Sequence, residues 1–206
     1  MRIKIILFVL FAYYASAQKT IGIIHVSVGN VRSEARESAE MSTQVLMGTR
    51  VQILEKAPTK AWYRIQGPDG YQGWIEGGSL TRMDSTEYKV YLQKGTEIMV
   101  QVPSSRVYLQ PTTKSEIVSE LVQFNRLMSI QKKIGFWEVR LADGTQGYVP
   151  LKEAETVQKW KAANTAPTEN RMMLAAHQLM GIPYLWGGTS IKGMDCSGFT
   201  KMGFSF

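Results

Sequence analysis

One cysteine and two histidines, His25 and His177, are all that 206 residues offer of the side chains most used for metal binding and nucleophilic catalysis. A lone Cys196 cannot form a disulfide within its own chain, so it is either an idle core thiol or a reactive one. No metal-ligand spacing is present, and neither a metal nor another cofactor is expected. Acidic residues are also in short supply, 17 against 24 Lys and Arg, for a net charge of +7. The surplus is diffuse and forms no basic-aromatic stripe, which argues against nucleic acid as a partner and suits a polyanionic or carboxylate-bearing one. Long apolar runs are missing except at the start, where Ile5 to Tyr14 is unbroken. That run falls short of the roughly 20 apolar residues that cross a bilayer core of about 30 Å.

What stands at the start reads as an export signal. Arg2 and Lys4 precede the apolar run, and Ala15-Ser16-Ala17 offers small residues for cleavage before Gln18. A buried first strand is the competing reading, and the lack of polar alternation disfavours it. No cysteine lies at the cleavage point to carry a lipid. The mature protein is therefore expected to be secreted or periplasmic, without a membrane span, and its net charge falls to +5.

The chain then repeats itself at a period of about 75 residues. Ala39 to Leu46 lines up with Ser115 to Val122, Arg50-Val51 with Arg126-Leu127, and Trp62 with Trp137. Asp69-Gly70-Tyr71-Gln72-Gly73-Trp74-Ile75 then matches Asp143-Gly144-Thr145-Gln146-Gly147-Tyr148-Val149. Residues 49–54 and 62–66 alternate as strands do, and each Asp-Gly pair supplies the turn of a hairpin. Short strands joined this way close into small barrels, filled or rimmed by Trp62, Trp74, Trp137 and Tyr148. The pattern resembles bacterial SH3-like domains over residues 28–83 and 100–155. With their flanks, 18–83 forms the first domain, 84–99 a connector of one or two helical turns, and 100–155 the second domain. Residues 156–168 read as a linker. The methionines of Arg171-Met172-Met173 read as ordinary packing.

Beyond the linker, Thr168 is a candidate N-cap for a helix running to about Met180, with Gly181 as its stop. Pro183-Tyr184-Leu185-Trp186-Gly187-Gly188 follows, and then Asp195-Cys196-Ser197-Gly198-Phe199. These two blocks, in this order, resemble the signature of the NlpC/p60 family of papain-like cell-wall cysteine peptidases. The expected fold class is mostly β: two SH3-like β-barrels, then the N-terminal helical part of a papain-like α+β domain over 169–206.

Chemistry accounts for the signature. The thiolate is the nucleophile, and a helix starting at Cys196 would set the positive end of its dipole beside the sulfur and favour that form. The Gly187-Gly188 pair reads as structural, permitting close backbone packing.

The resemblance implies the remaining roles. Tyr184 would help hold the oxyanion. A carboxylate beside the nucleophile opposes thiolate formation, so Asp195 would point instead into a subsite for the substrate's free α-amino group, with Ser197 as an acceptor. Glu40 and Tyr71 of the first SH3-like domain would complete that subsite. Glu40 has a repeat partner, Glu116, and so reads equally as a recurring structural acid, whereas Tyr71 is matched by Thr145. The implied substrate is a peptidoglycan stem peptide with a free N-terminal L-Ala, cut between γ-D-glutamate and the diamino acid.

The family's catalytic histidine is expected roughly 50 residues after the nucleophile, beyond residue 206. His25 lies next to the mature start, ahead of the first barrel, and His177 on a helix face, so the 206 residues are expected to be an incomplete and inactive form, with no sheet over the apolar face of the nucleophile helix. Two other readings stand beside this one. The SH3-like pair is a wall-binding module with an idle thiol, or the papain-like core serves an amidase or acyltransferase.

Overall fold

The computed structural model describes residues 20–58, 61–164 and 169–203. The expected export signal and the expected Thr168 cap lie outside these residues. Among them, no helix is long and apolar enough to cross a membrane.

The repeat is a repeat of topology. The first unit comprises β1 (Thr20–Ile24), β2 (Val28–Arg32), β3 (Met41–Leu46), β4 (Arg50–Lys56), β5 (Trp62–Gln66), β6 (Gln72–Glu76) and β7 (Leu80–Met83). The second comprises β8 (Thr96–Val100), β9 (Ser104–Tyr108), β10 (Ile117–Val122), β11 (Arg126–Lys133), β12 (Phe136–Arg140), β13 (Gln146–Pro150) and β14 (Ala154–Thr156). Strand order is β3-β2-β6-β5-β4-β1-β7 in one sheet and β10-β9-β13-β12-β11-β8-β14 in the other, the same order seven strands on. A register shift between Ile53 and Glu55 recurs between Ser129 and Gln131. Such bulges bend a strand and raise its twist, which curls each sheet around its own core. Among the described residues the two edge strands of each sheet are not paired, so these are curled seven-stranded sheets rather than closed barrels.

Side-chain alternation explains both cores. Val31, Val45, Val51, Ile65 and Ile75 fill the first, and Val107, Leu121, Leu127, Val139 and Val149 fill the same positions in the second. The register corrects the matching of the tryptophans. Tyr63 pairs with Ile75 as Trp137 pairs with Val149, so Tyr63, not Trp62, is the counterpart of Trp137. Neighbouring strand residues face opposite sides, so Trp62 is buried outside the core that Trp137 fills in its own module. Trp74 and Tyr148 do match, and both are half-buried.

The segments that flank the two repeats are structured as well. The connector holds a full helix, α1 (Ser85–Gln93), started by a reciprocal capping box between Asp84 and Glu87. Its last residues already form β8 of the second sheet. Much of the linker is helical too: Thr156 caps α2 (Val157–Ala163) by accepting the N–H of Lys159. His25 lies within the first module, where Nδ1 meets Thr81 Oγ1 at 2.9 Å and Nε2 meets the Gly78 carbonyl at 2.8 Å.

The modules are joined directly. The N–H of Arg126 donates to the Met47 carbonyl at 3.0 Å. Asn125, fully buried, donates Nδ2 to the Ser27 carbonyl at 2.8 Å. The Met47 side chain is inserted into the second core.

The remaining segment consists of α3 (Glu169–Gln178), a small hairpin of β15 (Thr189–Ser190) and β16 (Gly193–Met194), and α4 (Cys196–Gly203). Met172 and Met173 are exposed on α3, contrary to a packing role. The apolar face of α4 is not bare: Met202, 3% exposed, packs with Leu179, Met194, Ile182 and Phe124.

Candidate active site

Cys196 is exposed at the first position of α4, and Asp195 is the residue that starts the helix. The Asp195 carbonyl accepts the N–H of Phe199 at 2.8 Å. Its carboxylate is fully engaged. Oδ1 accepts the N–H of Gly198 and the hydroxyl of Ser197, each at 2.7 Å, and Oδ2 accepts the N–H of Gly187 at 3.0 Å. Burial raises the carboxyl pKa, but hydrogen bonds from Gly198, Ser197 and Gly187 outweigh it and leave the group below its ordinary value. Asp195 is thus an ionised N-cap that also ties α4 to the Gly187 loop.

That loop is seated by close backbone contact, as the Gly-Gly pair led us to expect. Gly187 has φ +71, and a Cβ there would lie 2.7 Å from the Met41 carbonyl oxygen of the first module. A Cβ on Gly198 would lie 2.0 Å from the Gly188 oxygen, so α4 begins hard against the loop. The strand-like stretch before the loop is fixed as well. The N–H of Met194 donates to the Pro183 carbonyl at 3.1 Å, and the N–H of Leu185 to the Met194 carbonyl at 3.1 Å. Tyr184, 68% exposed, is bridged to Met194, two residues ahead of Cys196.

The first module forms one wall of this region. Glu40 is exposed and precedes Met41, whose carbonyl touches Gly187, so its backbone is two contacts from the Asp195 carboxylate. Tyr71, 57% exposed, sits in the β5–β6 turn, and Asp69 of that turn is paired with Lys201 of α4. Of the expected residues, Asp195, Cys196 and Ser197 are therefore contiguous and Tyr184 is strand-bridged beside them. Glu40 and Tyr71 lie on the two first-module elements that meet this segment.

Gln44 is a contributor that carried no sequence signal. It is buried, its Oε1 accepts the N–H of Thr189 at 3.0 Å, and its Nε2 donates to Asn30 Oδ1 at 3.0 Å. A second tie comes from the other module, where Glu120 pairs with Lys192 at 2.7 Å. That pair is exposed, and the hydrogen bond and charge of Lys192 hold the Glu120 carboxyl below its ordinary pKa.

Comparison with known proteins agrees with this layout. A model of the bacterial SH3 domain matches residues 27–81, and a model of the NlpC/P60 family matches residues 181–205. A gamma-D-glutamyl-L-lysine dipeptidyl-peptidase of Bacillus cereus is 26% identical over 174 residues, covering 78% of this chain and 49% of that protein. The enzyme of the same name from Bacillus subtilis is 28% identical over 167 residues, covering 77% of this chain and 51% of the relative. The chain thus spans about half the length of these relatives. Among solved structures, an NlpC/P60 family protein from Bacillus cereus shares the fold with a TM-score of 0.69 at 20% identity, over 89% of this chain and 71% of that one. Signature, modules and fold point the same way: residues 181–205 are similar to the NlpC/P60 family, residues 27–81 to the bacterial SH3 domain, and the fold is shared with an NlpC/P60 family protein.

Proposed function

We propose that the protein is an exported cysteine peptidase that cuts wall stem peptides between γ-D-glutamate and the diamino acid when the N-terminal L-Ala is free. The observation that carries this reading is the exposed thiol of Cys196 at the start of a helix whose cap, loop and hairpin dock on the first module. The names of the two Bacillus relatives point to the same bond class.

In this reading the Cys196 thiolate attacks the γ-glutamyl carbonyl, the diamino acid leaves as its amine, and water then hydrolyses the thioester. Tyr184 donates to the oxyanion. The hydroxyl hydrogen of Ser197 is committed to Asp195, which leaves the Ser197 oxygen as an acceptor for the substrate ammonium. The ionised Asp195 supplies the opposite charge, and Glu40 and Tyr71 close the subsite from the first module.

A base is a further requirement. His25 is held by Thr81 and Gly78, and His177 is exposed on α3. The 206 residues by themselves are therefore proposed to bind the peptide without turning it over. The test is titration of the 206-residue chain with L-Ala-γ-D-Glu-L-Lys and with its N-acetylated form, followed by NMR. The free amine should bind tighter, and Asp195→Asn should erase the preference. Equal binding of both peptides by the unaltered chain would remove the subsite. Hydrolysis that is lost in Cys196→Ala would overturn the absence of turnover while strengthening the peptidase assignment.

A further inference from the structure

Among the described residues, every fully buried side-chain nitrogen or oxygen has a hydrogen-bond partner except one, Arg140 Nε. A buried donor without an acceptor is costly, and more so on a charged group. The fold does not ask for arginine at this place. The first module holds Gln66 there, which pairs with Gln72 as Arg140 pairs with Gln146. Arg140 thus carries a charge that its repeat counterpart lacks, at a cost the module does not recover from within.

Arg140 lines an open cleft of about 380 Å³ where three parts of the chain meet. The last strand of the first module brings Arg82 and Met83, α1 brings Val90 and Lys94, and the end of β12 brings Arg140 and Ala142. Arg82 and Lys94 are exposed, and among the described residues no ion pair joins them or Arg140 to an acid. Arg82 rests its guanidinium on the Tyr63 ring, 5.2 Å from the centroid, a contact that leaves its N–H edge unused. The acids at hand are engaged elsewhere. Glu87, in the lining, accepts the N–H of Asp84 at 2.8 Å, and Asp143 accepts the N–H of Thr145 at 2.9 Å. Glu97 lies across Met128 from Arg140 in the sheet.

Cations from three separate elements select an anion with acceptors on several sides. A carboxylate offers two oxygens in one plane, which a single guanidinium takes up. Free phosphate or a phosphate monoester offers at least three around a tetrahedron. The planar forks of Arg82 and Arg140 suit such oxygens, and Lys94 adds a point charge. Met83, Val90 and Ala142 give the cleft an apolar floor for the organic part of an ester. The volume lies within the roughly 300–1,000 Å³ of small-molecule sites.

We propose that this cleft is a phosphoryl-binding site, for free phosphate or a phosphate monoester, that bridges the two modules and α1. Its lining lies outside residues 169–203, so it stands whether or not the peptidase reading holds.

The test titrates the 206-residue chain at fixed ionic strength with inorganic phosphate, sn-glycerol 3-phosphate and acetate. NMR follows the Arg140 Nε–H signal and the backbone amides of Val90 and Ala142. Saturable shifts with either phosphate support the site. Tighter binding of the ester identifies a phosphorylated organic ligand, and equal binding identifies free phosphate. Arg140→Gln gives the second module the residue its counterpart already uses, so the fold is kept, and Lys94→Gln changes an exposed side chain. Each should weaken phosphate binding about tenfold, read at the two backbone amides. Absence of saturation with both phosphates overturns the proposal. So does acetate binding of equal affinity, and so does phosphate binding that both variants leave unchanged.

Discussion

Residue 44 in the first module and residue 120 in the second hold the same place in the repeat, and both grip the β15–β16 hairpin. The first does so with a buried amide bonded to the Thr189 backbone, the second with an exposed ion pair to Lys192. A buried polar pair is costly to break, because the partner left behind has no water to turn to. An exposed pair loses little, since solvent and salt already screen it. Equivalent strands have thus been put to unequal use, with the first module fixing the site and the second steadying it. Residues 48 and 124 show the same divergence. Both have positive φ, but the first is glycine at +82 and the second phenylalanine at +67. The second module accepts a backbone conformation suited to glycine and places there a ring that packs against Met202, Leu179 and Trp160.

The contrast is sharpest at Gly187. Gly187→Ala meets both a left-handed backbone and the Met41 oxygen, and should destabilise docking on the first module by about 2–4 kcal/mol, read by urea unfolding. Gln44→Ala strands the Thr189 N–H and should cost about 1–3 kcal/mol in the same measurement. At the strained position, Phe124→Gly should be more stable than Phe124→Ala by about 1 kcal/mol, because only glycine adopts that φ without penalty. Glu120→Gln should leave the unfolding midpoint unchanged at physiological salt and lower it measurably only at low ionic strength. If Glu120→Gln proved as damaging as Gln44→Ala, the division of labour between the modules would be wrong.

Features carried by local pattern were legible in the sequence. The Asp-Gly turns, strand alternation and Asp195-Cys196-Ser197-Gly198 block each act over a few neighbours, and each lies where the pattern places it. The tryptophan matching failed because the two-residue loss falls ahead of Trp62. A one-residue slip there reverses which side chain faces inward, and a prominent Trp is a poor guide to face. The α2 helix was hidden by polar composition, although Thr156 offered its cap. Gln44 was invisible for a different reason: its partner lies 145 residues away, and nothing in a strand's polar residue names a distant amide. The role of Asp195 was half legible. Its charge could be read, while its use as a cap depends on the Gly187 loop returning to meet it.

Met47 carries a practical consequence. Its side chain is a plug from one repeat lodged in the hydrophobic interior of the next. Cutting the chain between residues 83 and 96 to obtain separate pieces would therefore pull that plug and leave a hole behind. Anyone grafting either half onto another scaffold has to carry this methionine, or a substitute of its volume, along with the graft.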